Sequence, residues 1–245
     1  MSDQHLTRIN KFLSEAGYCS RREGDKLIAS NRVTINGKVP VMGTKVAPGD
    51  EVKVDGKLIS KSKEKPVYIA FNKPIGIVCT TDTSVEKNNI IDYIKFPKRI
   101  FPIGRLDKPS QGLIFLTSDG DIVNKILRAG NNHEKEYVVK VDKKITKKFI
   151  QDMSNGVLVL DSVTNKCFVE QLSNDEFRII LTQGLNRQIR RMCEHFDYEV
   201  LKLKRIRIMN IQLDLPVGKW RHLSENEMKE INRSLVSSSK TTSKQ

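Results

Sequence analysis

The chain has 245 residues, with 43 Lys and Arg against 29 Asp and Glu, a net charge of +14 and 38% hydrophobic residues. That length allows one large or two modest domains with a real core, and the cationic excess, spread along the chain, fits a polyanionic partner. It excludes a membrane-spanning segment, because no apolar run approaches the ~18 residues needed, and the polar start, Met1 to Thr7, has no signal-peptide core.

Cys19, Cys79, Cys167 and Cys193 are far apart, as are His5, His133, His195 and His222, so zinc-ligand spacing is absent. Reduced thiols, no metal and a cytoplasmic protein are expected.

In chain order, Leu6, Ile9, Leu13 and Ala16 recur at helical spacing, and Gly17 is placed to end that helix. Ser20-Arg21-Arg22-Glu23 has the form of a capping box and opens a second helix through about Ala29. Val33-Thr34-Ile35, the turn Asn36-Gly37 and a short returning strand predict a hairpin. Pro48-Gly49-Asp50 and Asp55-Gly56 bracket a further strand from Glu51 to Val54. Arg8, Lys11, Arg21, Arg22 and Lys26 fall on or beside the helices, where they could present a cationic face to a phosphate backbone.

Ser60 to Lys65 is polar and charged, and Pro66 follows, which places a boundary there. Beyond it, strands are expected at Val67 to Phe71, Ile77 to Thr80, Gly112 to Thr117, Glu136 to Val141, Val157 to Leu160, Cys167 to Leu172 and Phe177 to Thr182. Helices are expected from Ile122 towards Gly130, at about Thr146 to Met153, and after the capping box at Ser224. Strands outnumber helices without strict alternation, which favours a mixed, largely antiparallel sheet with flanking helices. The tail, 236–245, has nothing to bury, so disorder is expected.

Two stretches carry chemistry. In Phe101-Pro102-Ile103-Gly104-Arg105-Leu106-Asp107 a single carboxylate lies in a polar loop ahead of an apolar strand. A carboxylate held beside an Arg stays ionised and is a candidate nucleophile. In Asn186-Arg187-Gln188-Ile189-Arg190-Arg191, Asn186 is a plausible N-cap; Arg187, Arg190 and Arg191 then share one helix face, with Ile189, Cys193 and Phe196 on another. Such a helix could clamp a phosphate or a carboxylate. His133 and Asp119 read as structural, the latter as a turn or cap residue.

Residues 6 to about 60 resemble an S4-type RNA-binding domain, through Arg8-x-x-Lys11, Ala16-Gly17, Ser20-Arg21-Arg22 and Val33-x-Ile35-Asn36-Gly37. Asn31 stands where that family commonly has Gly. Asn72-Lys73-Pro74-x-Gly76, Gly104-Arg105-Leu106-Asp107, Lys135-Glu136-Tyr137 and Asn186 to Arg191, in this order, resemble the RsuA-type family of pseudouridine synthases. The wording around 108–113 and 127–137 is most similar to a member acting on large-subunit rRNA, although Ser110 replaces a common Thr and Pro109 a common acid.

The resemblance implies an α+β protein: an S4-type module over 1–62, a catalytic domain of the pseudouridine synthase fold over 67–235, and the tail. It implies isomerisation of a uridine in RNA to pseudouridine, with no cofactor. The partner would be 23S rRNA, with a tRNA anticodon stem-loop as a candidate second substrate, and the enzyme a monomer. Asp107 would be the catalytic carboxylate, attacking C1′, adding to the base or removing a proton on the way to a glycal. Arg190 would pair with it, and Tyr137 would stack on the base, flipped out of its helix. Arg105, Leu106, Lys108, Arg187, Gln188 and Ile189 would grip RNA near the flipped nucleotide, and Arg8, Lys11, Arg21 and Arg22 at a distance. Two rivals are a non-catalytic S4-domain assembly factor and a metal-dependent nuclease.

Overall fold

The computed structural model describes residues 6–60, 65–82, 86–236 and 238. The chain divides into two compact units, Met1–Pro66 and Val67–Gln245.

The first unit contains β1 (Thr7–Arg8), α1 (Ile9–Glu15), α2 (Arg21–Ala29), β2 (Val33–Ile35), β3 (Lys45–Val46), β4 (Val52–Val54) and β5 (Lys57–Leu58). Gly17, at φ +77°, follows α1, and the Ser20 side chain accepts from Glu23 N to cap α2. Asn36 and Gly37 make the expected turn, but the returning strand is only a bridge between Ile35 and Lys38. The partner of β2 is β4 instead, and β4 turns through Asp55-Gly56 into β5. Both turn residues have positive φ, the geometry that matches the strand twist. Ile9, Leu13, Leu27, Ile28, Val33, Val46, Val52 and Val54 form this unit's core.

The second unit runs β6 (Tyr68–Lys73), α3 (Ile90–Ile94), β7 (Phe101–Ile103), β8 (Gln111–Thr117), α4 (Gly120–Leu127), β9 (Lys135–Val141), α5 (Lys147–Asn155), β10 (Leu158–Val159), β11 (Ser162–Val163), β12 (Phe168–Gln171), β13 (Glu176–Leu181), α6 (Gln188–Glu194), β14 (Val200–Ile208), β15 (Ile211–Gln212), β16 (Trp220–His222) and α7 (Glu225–Ser234). Its main sheet has the order β12-β13-β9-β14-β8-β6-β16. The β14–β8 pair is parallel, and its other neighbours run antiparallel.

Alternate residues of β6 and β8 enter two cores. Ile69, Phe71, Ile114 and Leu116 join one; Ala70, Leu113 and Phe115 join the other. Burial on both faces is why these strands read as unbroken apolar runs. Thr146 caps α5, and Ser224 with Glu227 completes the capping box of α7. Ile77 to Thr80 is not a strand: Val78 makes a single bridge to Asn89. The longest strand, β14, lies at the centre of the sheet and was not anticipated. Of the segment 236–245, all but Val236 and Ser238 lie outside the described residues. Ser238 is tied down, its hydroxyl 2.9 Å from His133 Nε2.

Candidate active site

The acid loop begins where β7 ends. Gly104 turns the chain at φ +80°, and a Cβ there would sit 2.8 Å from Leu127 Cδ2. The backbone is then pinned at successive points. Leu106 N donates to Cys79 Sγ at 3.4 Å, Ser110 N to Asp107 O at 3.0 Å, and Gly76 N to Lys108 O at 2.8 Å. The Asp107 side chain keeps 36% of its surface in solvent at the head of this loop.

Arg190 comes from α6. Its guanidinium is buried, with Nη1 donating to Val200 O at 2.9 Å and Nη2 to Ser110 Oγ at 3.4 Å. Those bonds leave Nε without a hydrogen bond among the described residues, 4.0 Å from Asp107 Oδ2. Burial pushes the acidity of this guanidinium up, lowering its pKa, and Arg187 adds repulsion; Asp107 opposes both. Ser110 therefore links the acid loop to Arg190.

Tyr137 is on β9, flanked by Ile179 of β13 and Arg205 of β14. Its ring is 9% exposed and shares one apolar cluster with Leu106 and Ile189. That large cluster draws residues from the acid loop, the aromatic strand and the basic helix. The guanidinium carbon of Arg205 lies 5.9 Å from the Tyr137 ring centroid.

The expected RNA-gripping residues separate into two groups. Arg105 and Lys108 are exposed beside the acid, Lys108 with a 3.2 Å ion pair to Glu86. Arg187 is exposed too, 3.9 Å from Glu194. Leu106, Gln188 and Ile189, by contrast, are turned inward at 7%, 4% and 5% exposure. Gln188 Oε1 accepts from Leu185 N at 3.0 Å, so its amide shapes the entry to α6. Side chains so placed support the loop and the helix.

Two further corrections concern α6. Arg187, in the left-handed region at φ 51°, occupies the N-cap position in place of Asn186. Arg191 folds back onto Asn186, and Arg190 points inward, so Arg187, Arg190 and Arg191 present no common surface. In the first unit Arg8, Arg21 and Arg22 are exposed, and Lys11 pairs with Glu15 at 3.1 Å. His133 bonds to Ser238, and Asp119 caps α4, both as structural residues.

Sequence reasoning missed three buried cations. Lys73 has no exposure and donates to Pro74 O and Ile77 O, both at 2.8 Å. Lys135 is 6% exposed, and Nζ donates to His133 O at 2.9 Å. Burial, with help from Arg205, pushes its ammonium down to about 8. Arg205 is 4% exposed, Nε donating to Leu113 O at 2.6 Å while Nη2 has no hydrogen-bond partner among the described residues. The two lysines stood inside the quoted motifs; Arg205 had no local signal.

Comparison with known proteins accords with this geometry. A family model described as RNA pseudouridylate synthase matches residues 67–195, and an S4 domain model matches residues 7–52. The chain is 57% identical to the dual-specificity RNA pseudouridine synthase RluF of Escherichia coli K12, over 95% of this chain and 80% of that protein. It is 33% identical to the ribosomal large subunit pseudouridine synthase B of Bacillus subtilis, over 92% and 96%. A crystal structure of a pseudouridylate synthase superposes with a TM-score of 0.67 at 26% identity, covering 91% of this chain and 99% of that one. With these matches, and with the acid loop and the basic helix joined through Asp107 and Arg190, the chain belongs to the RNA pseudouridine synthase family and isomerises uridine in RNA.

Proposed function

We propose that the target is a uridine in 23S rRNA, with a tRNA anticodon stem-loop as a second substrate. The observation that carries this reading is the half-buried Asp107 carboxylate facing the buried Arg190 guanidinium at 4.0 Å, in a chain 57% identical to a dual-specificity enzyme. Asp107 acts as the catalytic carboxylate, held in register by the Ser110 and Cys79 contacts. Arg190 orients it and keeps a cation beside it. Tyr137 stacks on the base after the nucleotide leaves its helix, and holds the detached uracil while it turns.

Arg105, Lys108 and Arg187 contact phosphates next to the flipped nucleotide, each being exposed at the site. Arg8, Arg21 and Arg22 in the S4-type module add further phosphate contacts, and Lys11 supports that face through its ion pair with Glu15. The domains follow 1–62 and 67–235, and the protein works as a cytoplasmic monomer.

The test compares wild type with Asp107→Asn for pseudouridine in rRNA and tRNA, mapped by carbodiimide-dependent reverse-transcriptase stops. Stops made by the wild type and missing with the variant, at equal RNA binding, are expected in 23S rRNA. Wild-type stops confined to tRNA, or retained by Asp107→Asn, would overturn the assignment.

A further inference from the structure

Lys73, Lys135 and Arg205 are 0%, 6% and 4% exposed, and no ion pair joins any of them to an acid among the described residues. Burying a cation is costly unless it is paired, and burying neighbouring cations adds repulsion. Arg205 acts electrostatically on both lysines, and Lys73 also feels Asp107. Glu136, the buried acid beside Tyr137 in sequence, is committed elsewhere, to Arg207 at 2.6 Å and Arg178 at 3.4 Å. Backbone carbonyls partner the three cations, through Pro74 and Ile77, His133, and Leu113 respectively.

Arg205 also joins the two halves of the site. Its backbone approaches Gly112 so closely that a Cβ there would lie 2.2 Å from Arg205 O, which clamps the end of the acid loop. Its register partner on the other side is Tyr137, whose ring its guanidinium faces. The side chain is locked by the bond to Leu113 O, yet Nη2 has no hydrogen-bond partner among the described residues.

The isomerisation supplies a charge for this array. When N1–C1′ breaks, the electron pair stays with the uracil, which is anionic until C5 bonds to C1′; C5 then sheds its proton and N1 takes one up. We infer that Arg205 is a positioning residue that fixes Tyr137 against the acid loop, and that with Lys73 and Lys135 it forms a fixed positive floor stabilising the departing uracil. Dipoles and charges already in place need no reorganisation as that charge develops, which is where such stabilisation is largest. The inference rests on the roles given to Asp107 and Tyr137 above.

The experiment is single-turnover loss of the target nucleoside in a stem-loop RNA, with uridine or 5-fluorouridine at the target. Fluorine at C5 stabilises the uracil anion and makes the base less dependent on the protein for it. Arg205→Met and Lys135→Met are expected to lower the saturating rate on uridine by roughly 10- to 100-fold, with RNA affinity retained. On 5-fluorouridine the loss should shrink several-fold. Arg205→Lys should recover part of the rate, since it keeps the charge and loses the planar lock.

An equal loss on both substrates, or a loss confined to affinity, would overturn the inference. If Arg205→Met does not fold, Lys135→Met and Arg205→Lys decide it by the same ratio. An Asp107→Asn variant that stays active would instead show that the site assignment itself fails.

Discussion

Replacing Lys135 by Met should make the protein more stable at neutral pH and less active. The methylene stem is nearly conserved, and the charge is removed from a site only 6% exposed. The ammonium titrates at about 8 in the folded protein against 10.5 ordinarily, mainly through burial. A difference of about 2.5 units corresponds to about 3 kcal/mol of strain on the folded state while the group is charged in both states. Losing the bond to His133 O returns about 1–2 kcal/mol of cost, so the net gain near pH 7 is about 1–2 kcal/mol.

The sign with pH follows from proton binding. Between about 8 and 10.5 the folded lysine has released its proton while the unfolded one has not, so unfolding takes up a proton. Wild-type stability from this group therefore rises with pH across that window, recovering about 2 kcal/mol by pH 9.5. The charged neighbour bearing on Lys135 is Arg205 of β14. Urea unfolding of wild type and Lys135→Met at pH 6.5, 8 and 9.5 reads this directly. The variant's advantage should fade and then reverse; an advantage that stays constant with pH would refute the reasoning.

Gly112→Ala places a methyl against backbone atoms of the central strand at φ +115°. Strain of about 1–3 kcal/mol at positive φ, with a similar overpacking cost, predicts a loss of about 2–6 kcal/mol, read as a fall in the urea midpoint. Doubling Arg21→Ala with Arg22→Ala should weaken RNA binding and flatten its salt dependence by about two units of log–log slope, without changing the saturating rate. An unchanged slope in a titration from low to high salt would remove the S4-type helix from the RNA interface.

The legible parts of this chain are those where one local rule decides. Ser20, Thr146 and Ser224 announce helices because a hydroxyl caps a backbone N–H three residues on. The runs in β6 and β8 announce strands because both faces are buried. Gly104-Arg105-Leu106-Asp107 and Tyr137 stood out through their motifs, and family membership decides for an enzyme over a purely RNA-binding factor. The side chains of Leu106, Gln188 and Ile189 could not be placed from sequence, because proximity to a motif says nothing about direction. For Gln188 the deciding fact is the left-handed Arg187, which resets the helix start by one residue.

β14 explains the largest omission. Val200-Leu201-Lys202-Leu203-Lys204-Arg205-Ile206-Arg207-Ile208 has a cation at almost every second position, which reads as a solvated strand or a charged loop. Register shifts between Val200 and Lys202 and between Arg205 and Arg207 break the two-residue period. One consequence is that Arg205 lies buried beside Tyr137 while Arg207 is bound to Glu134 and Glu136. A sheet centre built from apolar residues alone would be more stable and would supply no field. A central strand that carries a buried cation with no ion pair among the described residues costs stability, and in the role inferred for Arg205 that cost falls where the reaction releases negative charge.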